Sequence, residues 1–96
     1  MKVEVLGTRK IYGETYTFYL NAPEFEGEKG ICGVEIEPHI SIETPENCFG
    51  YNDTVLFNYG VPYTLNRRLG RHVLSELTKT AKRLAKKLPY TIVDLQ

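Results

Sequence analysis

Two carboxylates and an imidazole occupy every second position in Glu35-x-Glu37-x-His39. If this segment is a strand, the three side chains lie on one face, roughly 6.6 Å from one to the next. These side-chain types suit a divalent metal or acid–base chemistry. A single flat strand does not bring three such groups onto one ion, and only Glu43 and His72 offer a fourth ligand. We therefore expect a polar surface here, with no metal, no cofactor and no catalytic residue. A small metal-dependent enzyme built on this triplet is the third alternative for function.

No other pattern in the chain indicates catalysis. Cys48 has no obvious base near it in the sequence, and Ser41 and Ser75 lack the glycine-flanked turn of a hydrolase nucleophile. Glycine-rich phosphate loops are absent as well. The sequence therefore favours a binding protein over an enzyme.

Charge is divided along the chain, although the net charge is zero. The first 63 residues hold four basic residues and ten acids, whereas residues 64–88 hold eight basic residues and a single acid, Glu76. The two segments therefore carry net charges of −6 and +7. Charge that is segregated in this way steers partners even when the total cancels.

The basic segment has the spacing of an amphipathic helix from about residue 64 to residue 88, with Thr64 as its N-cap and Pro89 after its end. Apolar side chains form one stripe of this helix, and basic side chains lie mainly on the opposite side. The candidate binding residues are Arg68, Arg71, Lys79, Lys82, Arg83 and Lys86. They extend over about 27 Å, a length that suits nucleic-acid phosphates or an acidic protein surface. A face that is merely solvated is the alternative.

A second charged surface is predicted on the longest alternating segment, residues 31–43. Alternation in a strand places its apolar residues on one face and Glu35, Glu37 and Glu43 on the other. Pro38 cannot donate to a ladder, so we expect this strand to be at an edge or to be interrupted there. An array of carboxylates can imitate phosphates and occupy a basic groove of a nucleic-acid enzyme. These three glutamates are therefore the candidate acidic binding face.

The elements that position these side chains follow from the periodicity of the sequence. Strands are predicted at about residues 2–6, 11–20, 31–43 and 54–59, with a short final strand at 90–95. A turn is expected at residues 7–10 and a bulge at Gly13. The order predicts a single α+β domain over residues 1–96, a curved antiparallel sheet of about four to five strands packed by one long C-terminal amphipathic helix. The predicted core comprises Val34, Ile36, Ile40, Ile42, Leu69, Val73, Leu77 and Leu84.

Composition narrows the setting in which the protein works. The chain shows no apolar leader and no apolar run of membrane-spanning length, and Cys32 and Cys48 fit reduced thiols. We therefore expect a cytoplasmic protein without a membrane partner. Loop residues Phe25, Phe49 and Tyr51 are expected either to be buried over the sheet or to contact a partner.

The charge pattern leads to a hypothesis for function. It predicts a small non-catalytic regulator or inhibitor, of the kind encoded by phages and mobile elements, that docks onto a nucleic-acid-handling protein complex. Docking would use the acidic face, the basic helix or both. Direct nucleic-acid binding through the basic helix is the second alternative, and a homodimer is also open.

Overall fold

The computed structural model describes residues 1 to 96 and contains one antiparallel sheet, one α-helix and one short 3-10 helix. The strands are β1 (Lys2–Ile11), β2 (Glu14–Ala22), β3 (His39–Glu43), β4 (Thr54–Asn58) and β5 (Val61–Thr64). Each strand pairs with the next along the chain, so β1 and β5 are the edges of a sheet that does not close. The helix α1 spans Arg71–Ala85, and the 3-10 helix spans Val93–Leu95. The α+β class and the antiparallel sheet are thus confirmed.

Two hairpins are closed by the same two-residue turn, a tyrosine followed by a glycine. Tyr12 and Gly13 connect β1 to β2, and Tyr59 and Gly60 connect β4 to β5. All four residues have positive φ, between 48° and 78°, which is the backbone of a type I′ turn and matches the twist of the paired strands. The prediction of a bulge at Gly13 is wrong, because Gly13 is the second residue of this turn. Tyrosine is an unusual first residue for a type I′ turn, so the sequence does not reveal the hairpin.

Strand β1 continues through residues 7–10, so the predicted turn there is wrong. Gly7 instead follows a shift in the register between β1 and β2, and the pairing resumes beyond it. At the other edge, β5 is absent from the predicted elements, because Pro62 cannot donate to a ladder and is typical of the end of a strand. Pro62 is accommodated because one side of an edge strand needs no ladder partner.

The predicted strand at residues 31–43 is mostly loop, and β3 begins only at His39. The loop reverses at Gly33, which has a φ of 75° and whose N–H donates to the carbonyl of Gly30 at 3.0 Å. A single bridge between Lys29 and Glu35 then holds the loop on itself. The alternating pattern therefore begins eight residues before the strand itself, which starts at His39 and pairs with β2 and β4.

The core lies between one face of the sheet and α1. Its buried residues include Tyr16, Phe18 and Leu20 of β2, Ile40 and Ile42 of β3, Val55 and Phe57 of β4, and Leu77 and Ala81 of α1. Leu69, Val73 and Leu84 are partly buried against this cluster, as predicted. Val34 and Ile36 are wrongly placed in the predicted core, because their segment is loop: Val34 is 70% exposed and Ile36 is half-buried.

The helix is shorter than the predicted 64–88. Thr64 ends β5 instead of capping the helix, and its hydroxyl donates to the carbonyl of Arg67. The helix begins after Gly70 and contains 15 residues. The segment at 90–95 is a 3-10 helix preceded by irregular chain, not a strand. It still belongs to the core, since Ile92 and Leu95 are buried.

Candidate functional site

The basic residues predicted to bind a partner are all exposed. Five of them lie on α1 and its C-cap, and we call them the basic helix surface: Arg71, Lys79, Lys82, Arg83 and Lys86. At 100° per residue, four of these lie within an arc of about 80°, and Arg83 lies about 40° beyond it. Arg71 and Lys86 are about 22 Å apart along the axis. Arg68 is exposed in the loop before the helix, so it extends this surface only at its N-terminal end.

Four of the five cations of the basic helix surface have no acidic partner. The exception is Lys79, whose Nζ lies 3.7 Å from Oε1 of Glu76. The other carboxylate oxygen of Glu76 accepts a hydrogen bond from Nη2 of Arg9 at 2.7 Å. This bond from Arg9, together with the charge of Lys79, holds the pKa of Glu76 below its ordinary value. The only acid of the helix is therefore ionised and already engaged, and it leaves most of the positive surface unneutralised.

Arg9 is a residue that sequence reasoning missed. Its guanidinium reaches from β1 to α1, where Nη1 donates to the carbonyl of Glu76 at 3.1 Å and to Oγ1 of Thr80 at 2.7 Å. The sequence places Arg9 in a predicted turn and gives no signal of this contact. Arg9 fixes the helix on the sheet by three hydrogen bonds, and one of them engages a carboxylate oxygen of the only acid of the helix.

The start of α1 adds to the positive potential. Gly70 is the N-cap and supplies no side-chain hydrogen bond, and the first turn contains no acid. The free N–H groups at a helix start carry partial positive charge, so Arg71 at this end is unfavourable for the helix. A negatively charged partner would offset this cost.

A groove of about 410 Å³ adjoins the C-terminal end of the basic helix surface. Its lining includes Lys82, Ala85, Lys86, Tyr90, Ile92 and Leu95. Two lysines thus border a mainly apolar wall, which the segment after the helix completes. Tyr90 also lines a second hollow of about 260 Å³ that includes Lys2 and Glu4 of β1. Tyr90 falls in the strand predicted at residues 90–95, and its residue type and spacing predict no role for it.

The structure does not bring the predicted acidic binding face together. Glu43 lies on the face of the sheet opposite α1, where it accepts from the hydroxyl of Tyr19 at 3.2 Å and from Nδ2 of Asn52 at 3.4 Å. Burial, with the charge of Glu43, raises the pKa of Tyr19. Glu35 and Glu37 are exposed in the loop before β3. Their predicted place on a common strand face with Glu43 is wrong, because that strand does not extend to them.

Because β3 begins only at His39, the triplet Glu35, Glu37 and His39 does not lie on one strand. Only His39 lies in a strand, and its Nδ1 donates to the backbone carbonyl of Glu37 at 2.9 Å. No three histidine, cysteine, aspartate or glutamate side chains of the chain are grouped so that they could hold a metal ion. The structure therefore does not gather the predicted triplet at one point.

Several apolar loop side chains are exposed. Phe25, Phe49 and Tyr51 are among them, so the loops do not bury these rings over the sheet. Cys32 and Cys48 are free and exposed.

Comparison with protein-family models, with curated proteins and with solved structures finds no match for this chain. Its one α-helix lacks the length and apolar character needed to cross a membrane. A proposal for function therefore depends on the surface geometry described above.

Proposed function

We propose that this protein is a non-catalytic binding protein that acts at a nucleic-acid-handling complex, and that its basic helix surface contacts nucleic-acid phosphates there. One observation carries the proposal: the exposed side of α1 and its C-cap presents five cations, and four of them have no acidic partner. Lysine and arginine in such an array bind phosphates and release the counterions condensed on the nucleic acid.

The salt dependence of nucleic-acid affinity expected from this surface is large enough to measure. Each phosphate contact contributes about 0.9 to the log–log dependence of affinity on salt for a duplex and about 0.7 for a single strand. Five contacts predict a slope between about −3.5 and −4.5. A solvated helix face predicts no binding and hence no slope.

A regulator or inhibitor that docks onto a protein is the second candidate. The sheet face opposite α1 favours it, because this face exposes Val3 and Val5 on one edge strand and Val61 and Tyr63 on the other. Exposed apolar side chains of this kind are common at protein interfaces. In this case the basic helix surface, on the other side of the molecule, would accelerate association by long-range attraction to an acidic partner.

Binding by two charge-matched variants separates these proposals. The first variant combines Lys79→Gln, Lys82→Gln and Lys86→Gln. The control combines Lys2→Gln, Lys10→Gln and Lys29→Gln, which remove the same charge from exposed positions outside the helix. Because exposed charges contribute little to stability, both variants should fold.

We expect the helix variant to lose affinity for unrelated nucleic-acid sequences about equally, and the control to lose much less. Fluorescence anisotropy with labelled oligonucleotides measures both. Equal losses in the two variants would show that only net charge matters and would contradict a site on the helix. Absence of nucleic-acid binding by the wild-type protein at physiological salt would contradict the proposal and favour the protein-docking candidate.

A further inference from the structure

We propose that the groove beside Tyr90 accepts an unpaired base, so that the nucleic-acid partner is a single strand and not a duplex. This inference rests on the proposed function and names the substrate class of the same surface. It comes from the position of the groove, which shares Lys82 and Lys86 with the basic helix surface.

The lining of the groove matches the chemistry of a nucleotide. A base needs a flat or apolar surface on its faces, and the groove provides an aromatic ring and the apolar residues Ile92 and Leu95. Tyr90 is 38% exposed, so its ring is accessible to a ligand while part of it stays anchored. The volume of about 410 Å³ lies within the range of about 300–1,000 Å³ that is typical of small-ligand pockets.

The two lysines of the groove could contact the phosphates of the nucleotide. Lys82 and Lys86 are four residues apart, so they are neighbours on one face of the helix. Their ammonium groups border the groove and have no acidic partner in the chain. Phosphates on either side of an inserted base would lie beside these cations, and the backbone could continue along the basic helix surface toward Arg71.

Single-strand preference follows from what each part of the surface can contact. Lysines and arginines contact phosphates and do not by themselves distinguish a single strand from a duplex. Bases in a duplex are paired and stacked, and their faces are not free to stack on a side chain. Single-strand binders combine a basic surface with aromatic side chains on which bases stack. The groove at Tyr90 adds this second component to the basic helix surface.

The test compares affinities for a labelled single strand of about 16 nucleotides, in RNA and DNA form, and for the same strand annealed to its complement. Three variants are measured beside the wild-type protein. Tyr90→Ala removes the ring, Tyr90→Phe keeps it, and Tyr63→Ala removes an exposed tyrosine from β5, outside the groove. Thermal unfolding of each variant shows whether the fold is kept.

We expect the wild-type protein to prefer the single strand. Tyr90→Ala should weaken single-strand binding by about fivefold to 150-fold, the contribution of one base stacked on an aromatic ring. Its duplex affinity should change less than twofold, and Tyr90→Phe and Tyr63→Ala should bind as the wild-type protein does. If Tyr90→Ala itself unfolds the protein, Ala85→Gln replaces it in the test, because the longer side chain obstructs the groove. We then expect Ala85→Gln to lose the preference for the single strand.

Three outcomes would overturn the inference, and they differ in what else they overturn. Equal affinity for single strand and duplex, or unchanged single-strand binding in a folded Tyr90→Ala protein, would refute the base-binding groove. The phosphate-binding role of the helix would stand if the lysine variants still lost affinity. Absence of any nucleic-acid binding by the wild-type protein would refute the proposed function and this inference together.

Discussion

Replacing Leu77 by alanine tests the packing of the helix on the sheet, on which both proposed binding surfaces depend. Leu77 lies at the centre of α1, and its side chain is 0% exposed. The change deletes three buried carbon atoms, which corresponds to about 2.4 kcal/mol of lost transfer free energy at about 0.8 kcal/mol per methylene. A residual cavity adds to this, so we expect a total loss of about 2–5 kcal/mol. A chain of this length has a typical free energy of unfolding of about 5–14 kcal/mol, so the loss is a large part of the total.

Urea unfolding followed by circular dichroism measures this loss. At an m-value of about 1–1.5 kcal/mol/M, a loss of about 3 kcal/mol lowers the midpoint by about 2–3 M. Ser75→Ala is the matched control, because Ser75 is exposed on the same helix and alanine favours helix formation. The control should leave the midpoint unchanged or raise it slightly. A loss below about 0.5 kcal/mol for Leu77→Ala would show that α1 does not pack on the sheet as described.

Three further predictions concern a turn, an ion pair and metal binding. Tyr59→Asn should raise the free energy of unfolding by up to about 1 kcal/mol, because Tyr59 is 73% exposed and has a φ of 48° that asparagine adopts more readily; a lower thermal midpoint would contradict this. Glu76→Gln should destabilise the protein at pH 7, and the difference from wild type should shrink as the pH falls below the ordinary pKa of 4.5, since a carboxylate whose folded pKa is lowered stabilises the fold only while it is ionised. A difference that does not change with pH in urea titrations would refute the role of its charge. Calorimetry with zinc, manganese and magnesium should show no micromolar binding, whereas binding lost in His39→Ala would reopen the enzyme alternative.

Local periodicity predicts an element correctly where the apolar residues that recur with the period of a strand or helix are also the residues that pack in the core. The alternating Tyr16, Phe18 and Leu20 of β2 are all buried, and the helical spacing around Leu77 correctly identifies the face of α1 that packs on the sheet. The exposure of the basic residues follows from the same spacing, since they lie opposite the apolar stripe. The antiparallel α+β class could therefore be predicted.

Predicted elements are wrong where the sequence has the pattern of a strand or a helix but the backbone does not adopt that structure. Residues 31–38 alternate as a strand does, yet Gly33 reverses the chain, and no neighbouring strand extends far enough to pair with them. Glu35 and Glu37 consequently lie in a loop, and the predicted acidic face is not formed. Thr64 has the residue type of a helix cap, but pairing with Val55 takes it into β5. The contact between Arg9 and Glu76 joins residues 67 positions apart, a separation that no local pattern reveals. The groove at Tyr90 is formed within residues 82–96, but its shape depends on the irregular chain after the helix, which periodicity does not predict.

The salt dependence of nucleic-acid affinity tests most directly whether the basic helix surface binds phosphates. Anisotropy titrations over a series of salt concentrations give the log–log slope for the wild-type protein, for the triple variant at Lys79, Lys82 and Lys86, and for its charge-matched control. We predict a steep wild-type slope that flattens by about two to three units in the helix variant and changes by less than one unit in the control. A wild-type slope near zero, or the same slope in all three proteins, would contradict phosphate binding by the helix.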